Sequence, residues 1–226
     1  MNISYLLLVG AIAIVGFLVQ NQMKSKFRKY GLIPLQNGMT GQQVAAAMLD
    51  HYGIHDVNIV QGEGFLSDHY NPSTKTVNLS PDVYNGRSIA AASVAAHECG
   101  HVVQHDTGYS MLALRNAIVP VVKVSAVVQQ WGFLAAMMFM GSFPQLLLIV
   151  ILAMVVTTLF SLITLPVEFD ASRRALVWLD DTGMTRGTEY DFAKDSLKWA
   201  ALTYLVAALA SVAMLVYFIL SYLGRR

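Results

Sequence analysis

Ser88-Ile-Ala-Ala-Ala-Ser-Val-Ala-Ala-His97-Glu98-Cys99-Gly100-His101-Val-Val-Gln104 is the stretch on which the reading of this chain turns. Its composition is that of a helix, and Ser88 is placed to cap it. Within it stands His97-Glu98-x-x-His101. Residues four apart on a helix lie nearly above one another, so the two imidazoles converge on one point. That point suits Zn²⁺, which neutral His nitrogens bind at about 2.0–2.1 Å. Glu98 then faces the open coordination position, where it takes a proton from a zinc-bound water. With six His and four Glu in 226 residues, random placement produces this pattern with a probability of roughly 0.003. Accident is a poor explanation.

The rest of the chain belongs in a bilayer. Hydrophobic residues make up 55% and charged residues 13%, whereas about 25% of a soluble domain is charged; mean hydropathy is +0.51. Apolar runs at 3–19, 117–140, 145–167 and 200–223 account for the excess. Each is long enough to cross a hydrocarbon core of about 30 Å. Lys123, Gln129 and Gln130 interrupt the second. The fold class expected is mainly α, a multi-pass membrane protein with about four transmembrane helices and a small zincin-like α+β part. The whole chain, 1–226, reads as one membrane-integrated domain.

Orientation follows from charge. The first run has no preceding cation, and Lys24, Lys26, Arg28 and Lys29 follow it, the reverse of a cleaved signal peptide. The positive-inside rule places those cations in the cytoplasm. Segments 20–116 and 168–199 are then cytoplasmic, 141–144 is a tight outer turn, and both termini lie outside. Arg225 and Arg226 stand on the disfavoured side. The expected location is the cell membrane, with the His-Glu-x-x-His helix facing the cytoplasm. A single cysteine, Cys99, excludes an internal disulfide, in keeping with the reducing side. It sits on the far side of the helix from the two His. A net charge of +1 gives no reason to expect a nucleic-acid partner.

The soluble part reads as a short helix capped by Thr40 and ended near Gly53, then a strand at Val57-Asn-Ile-Val. A hairpin follows, formed by Asp68-His-Tyr and Thr76-Val-Asn-Leu-Ser around Asn71-Pro-Ser-Thr-Lys. A β-element thus precedes the zinc helix. In thermolysin-like proteases an edge strand there pairs with the extended substrate backbone; a hairpin that merely covers the helix is the other reading.

A catalytic zinc needs a third protein ligand. His105 lies about 12 Å along the axis from His97, too far for one tetrahedron, and is assigned to the surroundings of the site or to the surface. The extended metzincin pattern needs Gly and His where this chain has Gln104 and Thr107, which excludes that family. Among the remaining glutamates, Glu168 follows the third run, so two crossings return it to the face of the motif helix. Asp170 competes with it, pointing about 200° away on a helix. Glu189 reads as the first-turn acid of the last helix.

Taken together, His97-Glu-Cys-Gly-His and Glu168-x-x-Ala-Ser-x-x-Ala resemble the membrane gluzincins, whose HtpX and CAAX-protease branches place a Glu-x-x-Ala-Asp segment after transmembrane helices. The whole chain is more similar to the YugP-type neutral zinc metallopeptidases of bacteria. The similarity runs through Asp68-His-Tyr-Asn-Pro, Lys75-Thr-Val-Asn-Leu-Ser, Arg87-Ser-Ile-Ala-Ala, Leu165-Pro-Val-Glu-Phe-Asp-Ala-Ser-Arg-Arg-Ala and Ala201-Leu-Thr-Tyr. It implies one zinc ion held by His97, His101 and Glu168, with Glu98 as general base. Ser172 replaces the Asp of the HtpX pattern, which leaves the carboxylate that orients a zinc-bound His to Asp170.

The expected activity is zinc-dependent endoproteolysis at the bilayer, on peptides or membrane proteins. His69, Tyr70 and Arg174 are the candidate oxyanion donors. A zinc-binding scaffold without activity is the alternative. A metal transporter fits poorly, because its ionisable residues would lie within the spans. A regulatory protein partner stays open.

Overall fold

The computed structural model describes residues 3–64, 67–139 and 145–224. In chain order it contains α1 (Ile3–Gly31), α2 (Gly41–His51), β1 (Asn58–Gln61), β2 (His69–Asn71), β3 (Thr76–Leu79), α3 (Pro81–Tyr84), α4 (Ile89–Asp106), α5 (Ser110–Phe139), α6 (Gln145–Asp181) and α7 (Thr188–Leu223). The chain is mainly α, and among the described residues four helices are long and apolar enough to cross a membrane: α1, α5, α6 and α7. Outward-facing Ile14, Phe17, Trp131, Leu152 and Leu209 are exposed on them, a surface that suits lipid and not water. The end of the second expected span at 140, the outer turn at 141–144 and the basic pair Arg225–Arg226 lie outside the described residues.

The helices outrun the spans read from hydropathy. α1 continues through the basic stretch to Gly31, and α6 continues past the bilayer run to Asp181. The reason lies in spacing. Glu168, Ala171, Ser172, Ala175, Trp178 and Leu179 are buried along one face of α6, a 3.6-residue stripe that packs the extension instead of releasing it as a loop. The segment expected as an inner loop at 168–199 is therefore two helix ends joined at 182–187. The joining turn uses Gly183 and Gly187 at positive φ.

The small α+β layer forms where its local signals place it. Thr40 caps α2 in a reciprocal capping box with Gln43, and Ser88 caps α4 by accepting from Ala91 N–H at 3.2 Å. The sheet runs β1-β3-β2, with β1 parallel and β2 antiparallel to β3. The β2–β3 hairpin turns where Asn71 Oδ1 accepts from Ser73 and Thr74 backbone N–H groups. Asp68 anchors it by accepting from Ser80 N–H at 2.7 Å and Ser80 Oγ–H at 3.0 Å.

α4 runs through the middle of this assembly and is buried from Ile89 to Ala96 on all sides. Val44 and Met48 of α2, Val77 and Leu79 of β3, and Trp178 and Leu179 of α6 enclose it. Burial on this scale is the main force fixing the helix that carries the motif.

Candidate metal centre

His97 and His101 project from adjacent turns of α4, and Glu168 meets them from α6. Glu168 Oε2 lies 3.3 Å from His97 Nε2 and 3.6 Å from His101 Nε2. Donor atoms of all three residues fall within 4.8 Å of one another, a group able to hold a metal ion. Bonds of 2.0–2.1 Å at tetrahedral angles put neighbouring donors about 3.3–3.4 Å apart, so the spacing suits zinc. Glu168 is 2% exposed, and its Oε2 accepts no hydrogen bond from the described residues. An ionised carboxylate oxygen buried in that way calls for a cation.

Bringing the two helices this close requires a glycine. A Cβ on Gly100 would lie 2.5 Å from the backbone oxygen of Ala171, so α4 and α6 touch backbone to backbone beside the site. Glycine costs about 1 kcal/mol relative to alanine in a helix interior, and here that cost secures the approach that brings Glu168 to the imidazoles.

Each imidazole has its outer nitrogen occupied. Ser172 Oγ lies 3.1 Å from His97 Nδ1. Gln104 Oε1 lies 3.0 Å from His101 Nδ1, while Gln104 Nε2 donates to Val167 O at 2.8 Å and Asp170 Oδ2 at 2.9 Å. With the amide nitrogen so engaged, Oε1 accepts from Nδ1–H, and the lone pair of His101 Nε2 is left facing Glu168. Asp170 in turn is held by Arg173 at 2.6 Å and Arg174 at 2.5 Å. Asp170, expected to orient a histidine, reaches His101 only through Gln104, while His97 Nδ1 faces Ser172 itself.

Glu98 lies beside the metal group, 8% exposed. Burial pushes its carboxyl up to about 7, the neighbouring Glu168 adds to this, and His97 together with the Tyr70 backbone N–H opposes it. Asp68 shares the cleft with Glu98 and Glu168, and burial raises its carboxyl too. Cys99 faces the other way, its thiol against Ala45 O at 3.6 Å; burial pushes that thiol up, and it is no ligand in this arrangement.

The other expected site residues divide. His69 and Tyr70 line the cleft with His97, Glu98 and His101; His69 Nδ1 lies 2.8 Å from Ser67 O and its Nε2 3.3 Å from Asn78 Nδ2. His105 stays outside the metal group, 2.8 Å from the Tyr70 hydroxyl. Arg174 is committed to Asp170 and stacks over Tyr109. Two residues not singled out from the sequence enter instead. Arg115 of α5 places Nη1 3.5 Å from Glu168 Oε1, and Tyr204 of α7 lines the cleft on both sides of the site. Arg115 carried no local signal, and Tyr204 entered only as the end of the shared stretch Ala201-Leu-Thr-Tyr, with no role attached; each comes from a helix distant in sequence. Gln104 did carry one, the three-residue step from His101 that puts it on the same helix face. Among the described residues β2 pairs with β3 alone, and His69 and Tyr70 place the strand at the cleft.

A sequence profile of the family described as "Putative neutral zinc metallopeptidase" matches residues 5–223. The "Putative membrane protease YugP" of Bacillus subtilis (strain 168) is 42% identical over 212 residues, covering 94% of this chain and 93% of its own. No solved structure matches the chain.

Proposed function

This chain belongs to the neutral zinc metallopeptidase family, and from that premise we propose that it is an endopeptidase acting on peptide bonds at the cytoplasmic face of the membrane. The observation that carries the reading is the convergence of His97 Nε2 and His101 Nε2 on Glu168 Oε2 at 3.3 and 3.6 Å, with the Glu98 carboxyl in the same cleft. His97, His101 and Glu168 would hold one zinc ion per chain. When bound, zinc supplies Lewis acidity that acidifies water and polarises a carbonyl.

The chain's own residues do the rest. Glu98 accepts the proton of the attacking water and returns it to the leaving amine, the work of a positioned carboxylate. The open edge of β2 aligns the substrate backbone in an extended conformation. Arg115 and Tyr204 stand at the cleft with donors suited to developing negative charge. Gln104 and Ser172 hold the two imidazoles in the tautomer that presents Nε2. The cations following the first span support the cytoplasmic orientation.

The test is hydrolysis of casein, an unstructured substrate, by the purified zinc-loaded chain in detergent. Glu98→Gln retains stoichiometric zinc and loses turnover by 100-fold or more, since a positioned base contributes about 10²–10⁴-fold. Equal cleavage by the two proteins sinks the assignment of Glu98. Stoichiometric zinc with no cleavage by the wild-type chain marks a binding scaffold instead.

A further inference from the structure

The catalytic cleft does not end at the site. Met23 and Phe27 of α1 face Ala200 and Thr203 of α7 across it, with His97 and Glu98 at its floor. A second cleft between the same two helices is lined by Gly16, Val19 and Met23 on α1 and by Thr203, Val206 and Ala207 on α7. Met23 and Thr203 belong to both, so the two form one seam. On α1 it extends from Ile12 to Phe27, a rise of about 22 Å, of which the part from Ile12 to Val19, about 10 Å, lies within the first span. Its outer portion, inside the first and fourth spans, has no charged lining residue. Its inner end reaches Glu98 and Glu168.

An occupant that fills both ends must satisfy two chemistries at once. The outer part takes an apolar segment at bilayer depth. The inner part presents a buried base and, alongside, an open strand edge that suits peptide backbone. A lipid chain meets the first requirement only, and a soluble peptide the second only.

We propose that the α1–α7 seam is the docking site for the transmembrane segment of a membrane-anchored protein substrate, whose adjoining residues emerge at the interface and reach the metal centre. This rests on the peptidase reading above and adds to it the substrate class and the route. The segment stays helical in the seam, where a freed backbone would have no water to bond, and becomes extended beyond Met23, where β2 offers partners. Lateral access from the bilayer is open along α1, since none of its most apolar window is buried.

The experiment uses the full chain in liposomes with two substrates, casein and a single-span reporter bearing a flexible segment on the α4 side. Gly16→Leu with Ala207→Leu fills the outer seam, where a Cβ at Gly16 meets no atom within 4 Å. The double variant is expected to cleave casein at the wild-type rate and the reporter at least tenfold more slowly. Unchanged reporter cleavage, or equal slowing on both substrates, overturns the proposal. A second readout needs no turnover. In a Glu98→Gln background, Gly16→Cys is expected to crosslink through a bis-maleimide to a cysteine in the reporter's span. The native Cys99 is buried and stays silent. No crosslink, the result expected if acyl chains fill the seam, refutes it. Crosslinking with no casein cleavage by the wild type sinks the peptidase reading and leaves the docking site standing.

Discussion

The hydroxyl of Ser172 on α6 lies 3.1 Å from Nδ1 of His97 on α4. The same helix that delivers Glu168 to the metal group therefore also orients one of its histidines. A hydroxyl does so more weakly than a carboxylate, which accepts with full charge. Ser172→Ala is expected to weaken zinc binding about tenfold, the lower end of the range for such partners, and Ser172→Asp to restore or exceed wild-type affinity. Chelator competition measures both. Identical affinities for all three proteins would remove Ser172 from the site.

Gln104 couples His101 to Asp170, and through it to Arg173 and Arg174. Gln104→Leu keeps the volume and deletes both links, so zinc affinity is expected to fall about 10–100-fold. Asp170→Asn should cost less, because the amide still accepts from Gln104. If Asp170→Asn proves the more damaging of the two, the order of this relay is wrong.

Gly100→Ala places a methyl group 2.5 Å from Ala171 O. Helix propensity alone favours alanine by about 1 kcal/mol; overpacking costs about 1–3 kcal/mol, and here the obstacle is backbone. The expected outcome is a lower midpoint of thermal unfolding in detergent, together with reduced zinc occupancy as α6 moves off α4. A stabilised variant would contradict the close approach.

Zinc removal exposes the titration of Glu98. Its folded carboxyl is raised from 4.5 to about 7, so the native state holds the proton to higher pH than the unfolded chain does. The resulting stability is fully present below about 4.5 and is lost as pH climbs to about 7, by up to about 3 kcal/mol. Glu98→Gln abolishes that slope. Denaturation of metal-stripped protein between pH 4.5 and 7.5 tests it, and a wild-type stability that rises across the window has the wrong sign.

In the proposed orientation, four crossings with a cytoplasmic site turn both termini outward. An external protease added to intact cells is expected to remove a C-terminal tag, and a protected tag inverts the proposed orientation.

Most of the local structure could be read from short-range chemistry. Thr40 with Gln43 and Ser88 with the Ala91 N–H fixed helix starts, and Asn71 fixed the hairpin turn, because each signal is complete within three or four residues. The membrane helices were also evident, although their ends were not. Hydropathy marks where a chain leaves lipid; it does not mark where a helix ends, and the stripe from Glu168 to Leu179 kept α6 helical well past that point.

The site divides in the same way. His97, Glu98 and His101 form a pattern on one helix, so the sequence alone brought them together. It also narrowed the third ligand to Glu168 or Asp170 by requiring two crossings back to the same face, and family resemblance favoured Glu168. What it could not decide was which carboxylate turns to the imidazoles and what sits behind them. Those outcomes depend on the rotation of α6 about its axis and on its distance from α4, both set by the contact of Gly100 with Ala171. That contact points Glu168 at the two Nε2 atoms, gives Ser172 to His97, and leaves Asp170 to Gln104. Arg115, the place of Tyr204 at the cleft and the α1–α7 seam came from tertiary packing alone, because they arise where helices far apart in sequence share a wall.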